Sequence, residues 1–158
     1  MTTPSAWQPP EPEAGPAPGL AFAGPGARLV AYIVDIIIVG LFTALLAIIG
    51  VAAVVVVPVL AVLPFIAVFL VSLLYFPYYW QRSGQTPGMR MMNVKVVRDA
   101  DGGPLSWGSA LLRLIGYWVS AAVFYIGFIW IFIDKRKRGW HDLIAGTVVI
   151  EAPRAPGA

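Results

Sequence analysis

The chain has 158 residues, 59% of them hydrophobic and 12% charged, with a mean hydropathy of +0.79 and a net charge of +3. Soluble domains are nearer half apolar and a quarter charged, so this composition belongs to an integral membrane protein with room for one small bundle. The absence of cysteine excludes disulfides and thiolate chemistry, and the single histidine, His141, leaves too few ligands for zinc, so no metal or cofactor is expected.

Residues 1–26 are rich in Pro, Gly and Ala and carry Glu11 and Glu13. Such a composition buries no core and predicts a disordered, solvated tail, with polyproline docking to a partner as the sharper alternative. It lacks the basic leader and short apolar core of a signal peptide. The membrane domain is expected over 27–150, with a short tail at 151–158.

The first apolar segment, about 28–50, is long enough to cross a bilayer as one helix. It contains two charges, Arg28 and Asp35. Arg28 sits at the mouth, where its side chain can reach the headgroups. Asp35 lies about 10 Å further along the axis. A carboxylate there costs about 2.5–3.5 kcal/mol on insertion scales, so it needs a partner. Seven residues put Arg28 and Asp35 on one face but too far apart to pair. The expected partner of Asp35 is Arg113, from the third apolar segment, or Arg28 of a neighbouring subunit.

From Leu29 to Trp80 the only charge is Asp35. This length predicts a second span at about 59–80 after a turn around Gly50–Pro58. Gly40, Ala44, Ala47 and Gly50 recur at helical spacing and would let another helix approach closely. Tyr75, Tyr78, Tyr79 and Trp80 read as an aromatic belt. The polar loop 81–106 holds a strand-like stretch, Val94–Val97, and a turn at Asp101–Pro104. Gly84–Gly88 lacks the signature of a phosphate loop and reads as a turn. Ser106 is placed to cap the helix that follows.

Residues 107–133 are apolar except for Arg113. The segment 134–150 brings the basic run Lys135–Arg138, then Trp140–His141–Asp142, then strand-like Thr147–Ile150. Lys135–Arg138 reads as a lipid-facing orientation signal. The basic clusters lie beside apolar segments, which points to anionic headgroups and not to nucleic acid. Positive charge marks the cytoplasmic side, and both the 81–106 loop and the tail after 133 are basic. A single crossing by 107–133 would separate them, and two full crossings need about 40 residues. The segment is therefore expected to form a re-entrant or slanted hairpin: Trp107 to about Ser120, a bend, then a second helix to Ile133. One ordinary span is the alternative. The hairpin lets the two strand-like segments pair on one side. The fold class is thus an all-α membrane protein with two transmembrane helices, this hairpin and a small strand pair at the cytoplasmic face.

Four stretches in order, Arg28–Asp35, Gly84–Val97, Ser106–Arg113 and Lys135–Val149, resemble the RDD family of small prokaryotic membrane proteins, named for one arginine and two aspartates. The resemblance implies that the arginine falls on Arg28 and the aspartates on Asp35 and Asp142. It departs at Pro87 and Met89, where the family usually has Leu and Lys. The family is often proposed to take part in transport, without an established substrate.

Arg28, Asp35, Arg113 and Asp142 are thus the candidate functional charges. Asp35 is read either as a proton or Na⁺ site or as half of an ion pair that locks helices together. Asp142 is read as tying the tail under the bundle, through Arg28, the basic run or a helix cap. His141–Asp142 has no nucleophile or oxyanion site beside it, so an enzyme is not expected. The leading expectation is ion or small-solute transport; the alternative is a non-transporting assembly subunit whose buried charges fix helix packing. Either way, so small a bundle is expected to work as a homo-oligomer or beside a membrane partner.

Overall fold

The computed structural model describes residues 15–56 and 62–152. The far N-terminal tail, part of the expected inter-span turn and the last residues of the C-terminal tail lie outside that set. The elements run α1 (Pro25–Val56), α2 (Val62–Ser83), α3 (Pro87–Met91), β1 (Val94–Arg98), α4 (Trp107–Ala122), α5 (Ile126–Ile129), a 3-10 turn (Trp130–Phe132), α6 (Trp140–Ala145) and β2 (Thr147–Glu151).

Among the described residues, helices α1 and α2 are each long and apolar enough to cross a membrane, and the bent pair of α4 with α5 and its 3-10 turn would be a third only if counted as one span. At 1.5 Å per residue, the 32 residues of α1 extend about 48 Å, well beyond a hydrocarbon core of about 30 Å. It runs past Gly50, where a turn was expected. Gly50 is instead a packing position: a Cβ there would lie 3.1 Å from the ring of Phe65 on α2. Gly40, on the same small-residue stripe, has nothing within 4 Å of where its Cβ would be. The aromatic end of α2 is only partly a belt. Trp80 is 2% exposed and stacks among Phe76 and Tyr117, because α4 packs over this end of α2.

The strand-like segments pair as expected. β1 and β2 run antiparallel, with Val94 opposite Glu151, Val96 opposite Val149 and Arg98 opposite Thr147. The segment before α1 corrects the disordered-tail expectation for its last residues. Phe22 bridges Ile150, the amide of Ala23 donates to the Val149 carbonyl at 2.9 Å, and the Glu151 amide donates to Ala21 at 2.9 Å. The chain there covers the open edge of β2, and Phe22 is buried with Val97, Val148 and Ile150. Apolar side chains at alternate positions anchor a stretch that composition alone reads as unstructured.

Segment 107–133 forms the bent element predicted. The hydroxyl of Ser106 accepts the Ser109 amide at 3.1 Å and starts α4. After Ala122 the chain breaks at Phe124 and Tyr125, both at positive φ, and the next helical piece turns away by 112°. The second arm is shorter than expected, α5 plus a 3-10 turn ending at Phe132. Asp99, just after β1, pairs with Arg136 and Arg138, and β2 pairs with β1, so both ends of 107–133 lie at the strand-pair end. A bend of 112° is the geometry of a re-entrant element or of one broken span, and not of a straight helix. Two members of the expected lipid-facing basic run, Arg136 and Arg138, are thereby engaged within the protein.

Candidate functional site

Asp142 lies in α6, a short helix that begins where Gly139 ends the basic run. Its carboxylate caps its own helix by accepting the Gly139 amide at 3.0 Å. It is fully buried and faces two arginines from other elements. Arg28 of α1 donates to Oδ2 at 3.2 Å and to the Val149 carbonyl at 3.0 Å. Arg113 of α4 donates to Oδ1 of Asp142 and, at 2.7 Å, to the hydroxyl of Thr147 on β2. The Arg113 guanidinium also lies 4.9 Å from the centre of the Trp80 ring, a cation–π contact. One carboxylate therefore joins α1, α4, α6 and β2. Burial alone would raise the Asp142 pKa, but Arg113, His141 and Arg28 outweigh it and hold the carboxyl well below the usual range.

His141 packs between Tyr117 and Phe128, with ring centres 4.3 and 5.2 Å away, and its Nε2 lies 3.4 Å from Asp142 Oδ2. Burial pushes its pKa down against the pull of Asp142, and the two arginines push the same way as burial. Gly116 of α4 makes this contact possible: a Cβ there would sit 2.5 Å from the His141 Cα. On the surface, Arg138 hydrogen-bonds Asp134 and holds that carboxyl below its ordinary value.

Asp35 occupies a different site. It is 1% exposed and meets the start of α3. Thr86 caps α3, with its hydroxyl accepting the Met89 amide at 3.2 Å and donating to Oδ2 of Asp35. The Gly88 amide donates to Asp35 Oδ1 at 2.9 Å, and the Tyr75 hydroxyl of α2 donates to the same oxygen at 2.9 Å. Gly88 is required here, since a Cβ would lie 3.0 Å from Asp35 Oδ2 and collide with the Ala31 carbonyl.

Three of the four candidate charges, Arg28, Arg113 and Asp142, thus come together, and Asp35 stands apart. The expected pairing of Asp35 with Arg113, or with a neighbour's Arg28, is corrected: both arginines are taken by Asp142 of the same chain. The rise of α1 explains it. Arg28 is level with β2, whereas Asp35, about 10 Å along the axis, is level with α3. Tyr75, Gly88 and Thr147 were read from the sequence as belt, turn and strand residues, and neither they nor Thr86 as members of a site. One signal was readable: Thr86 followed by Pro87 is a helix start, with a capping hydroxyl and a proline in the first turn. Gly84–Gly88 is therefore a turn that opens a helix, and not a turn alone. Among the described residues no cluster of three or more His, Cys, Asp or Glu is placed to hold a metal ion.

An apolar cavity of about 710 Å³ lies beside both sites, bordered by Arg28, Asp35, Trp80, Arg113, Tyr117 and His141 among others.

A sequence model of the RDD family matches residues 22–146. The chain is 34% identical over 86 residues to the uncharacterized protein YxaI of Bacillus subtilis (strain 168), covering 54% of this chain and 56% of that one. It is 29% identical over 68 residues to the proline-rich antigen of Mycobacterium leprae (strain TN), covering 43% of this chain and 27% of that one. The chain therefore spans about half the length of the first relative and about a quarter of the second. No solved structure matches it. With the family match covering most of its length, and with two apolar helices long enough to cross a bilayer, the chain belongs to the RDD family of membrane proteins.

Proposed function

We propose that this RDD family protein moves a small cation or solute across the membrane, with Asp35 as the exchangeable group. The single observation behind this reading is the contrast between its two buried aspartates. Asp142 is neutralised twice over by guanidinium. Asp35 is as deeply buried, yet the groups that hold it are two hydroxyls and one amide, all neutral. A carboxylate without a fixed counter-charge can take up a proton or a small hard cation. The Tyr75 and Thr86 hydroxyls suit that exchange, because each can rotate from donating to the carboxylate to accepting from the arriving ion. Asp35 also borders the cavity.

The same contrast supports the packing role for the other cluster. Arg28, Asp142 and Arg113 tie four elements and serve as the frame against which Asp35 works. We further take the strand-pair end as cytoplasmic, since Arg82, Arg90, Lys95, Arg98 and Lys135–Arg138 gather there. Two spans and one bent helix make few walls, so the active form is a homo-oligomer or a complex with a membrane partner.

The test is flux in proteoliposomes driven by a pH or Na⁺ gradient. Asp35→Asn should abolish it while the protein stays folded. Gly88→Ala, which pushes α3 away from an intact carboxylate, should lower it. If the wild type carries no flux under either gradient and Asp35→Asn instead dissociates oligomers in detergent, the assembly role replaces transport.

A further inference from the structure

A second, open groove of about 340 Å³ lies between α2 and the start of α4, lined by Leu70, Leu74, Tyr75, Tyr78, Tyr79 and Trp107 among others. Leu70, Leu74 and Tyr78 recur every four residues, and Arg82 continues the row. One face of α2 therefore passes from aliphatic to aromatic to cationic over about 18 Å. Tyr75 and Tyr79 form the neighbouring row, with ring centres 5.0 Å apart, and Tyr79 meets Tyr78 edge to face at 5.5 Å. Trp107 borders the same groove from α4. Packing takes Trp80 out of the interface, but Tyr78 and Trp107 stay exposed. Charge gives the groove a preference. The Tyr75 hydroxyl is bonded to Asp35, which has no cationic partner among the described residues. Aromatic faces are themselves the negative side of the ring quadrupole. At the rim, the Arg82 guanidinium lies 5.8 Å from the centre of the Tyr78 ring and makes no ion pair among the described residues. A wall that favours a cation, beside a guanidinium that favours an anion, fits a zwitterion.

We propose that this groove binds a zwitterionic phospholipid of the adjoining leaflet. Its ammonium group sits against the rings of Tyr75, Tyr79 and Trp107, its phosphate meets Arg82, and one acyl chain lies along Leu74 and Leu70. Ring faces attract an ammonium held within about 6 Å of their centres. Arginine pairs with phosphate through several donors at once. The volume is at the lower end of ordinary ligand pockets, about 300–1,000 Å³, which suits a headgroup whose chains stay in the bilayer. An anionic lipid would share the phosphate contact but bring no ammonium to the aromatic wall. An aromatic belt alone would anchor α2 without choosing among headgroups. The inference is independent of transport: it needs Asp35 to be charged, and not to exchange ions.

The experiment uses the full chain in detergent and native mass spectrometry with phosphatidylethanolamine and phosphatidylglycerol of identical acyl chains. Trp107→Leu keeps an apolar wall and removes the ring. It should weaken phosphatidylethanolamine binding about three- to fivefold, the scale of one exposed cation–π contact, and leave phosphatidylglycerol binding unchanged. Tyr79→Leu gives a second variant with the same expectation should the first fail to fold. Phosphatidylethanolamine affinity that stays at the wild-type value in a folded variant would overturn the proposal. Equal weakening of both lipids would mean that the groove reads only the acyl chain, and would overturn the ammonium assignment. Full displacement by millimolar phosphoethanolamine, which has the head and no chain, would reduce the site to one for a soluble zwitterion and overturn the lipid assignment.

Discussion

Replacing Asp142 with asparagine removes the only carboxylate among the described residues that pairs with Arg28 and Arg113, and leaves both guanidinium groups buried side by side. Their side chains are 9% and 2% exposed, so water screens them little. The amide can still accept the Gly139 amide proton, so the loss comes from charge and not from the cap. Stranding one partner of a buried pair costs about 3–5 kcal/mol. For a chain of this size that corresponds to a fall in Tm of roughly 6–20 °C, taking about 2–4 °C per kcal/mol. The assay is thermal unfolding in detergent followed by circular dichroism. A second variant separates charge from packing: Asp142→Asn combined with Arg113→Met removes one stranded cation, so the pair should lose at least about 1 kcal/mol less than the sum of the single losses. The pH dependence has a definite sign. A carboxyl held below its ordinary value stabilises the fold fully above the unfolded pKa of 3.8, and the contribution is lost only as pH falls through the depressed value. The gap in Tm between wild type and Asp142→Asn should therefore not narrow from about pH 8 to 5, since loss of the Asp142 pull on His141 only widens it, and should close only below about pH 4. A loss under about 1 kcal/mol, or strict additivity in the double variant, would refute the idea that this carboxylate holds four elements together.

His141 makes a separate pH prediction. Its pKa is lowered by burial below the ordinary 6.5, so between the two values the unfolded chain binds the proton that the folded chain refuses. Stability should then fall as pH drops below about 6.5, and His141→Phe, which keeps the ring between Tyr117 and Phe128, should flatten that slope in a series of Tm measurements; an unchanged slope would assign it to another group. For topology, cysteines introduced at Ser83 and Ala152 should both react with a membrane-impermeant thiol reagent from the cytoplasmic side only. Labelling of the two from opposite sides would contradict the bent return of 107–133.

Much of this architecture was readable one segment at a time. Uninterrupted apolar length identified the two spans. Charge on both flanks of 107–133, together with a length too short for two crossings, required the bend. β-branched runs at Val94–Val97 and Thr147–Ile150 located the strand pair, and Ser106 marked a helix start. These features depend on residues close together in the chain, where periodicity and capping act. The partners of the buried charges do not. Arg28 reaches Asp142 across 114 positions, and Thr86 reaches Asp35 across 51. Nothing in the spacing of these residues says which arginine finds which aspartate. That choice follows from the height at which α3, α4 and β2 pack against α1, and from Gly88 and Gly116 leaving room for close contact. Packing likewise turned Trp80 from a membrane-interface residue into a platform for Arg113, and turned Phe22 from part of a loose tail into an edge strap on β2. Local chemistry thus specified the rods, and their docking decided that one aspartate would be locked by cations while the other is held by neutral donors.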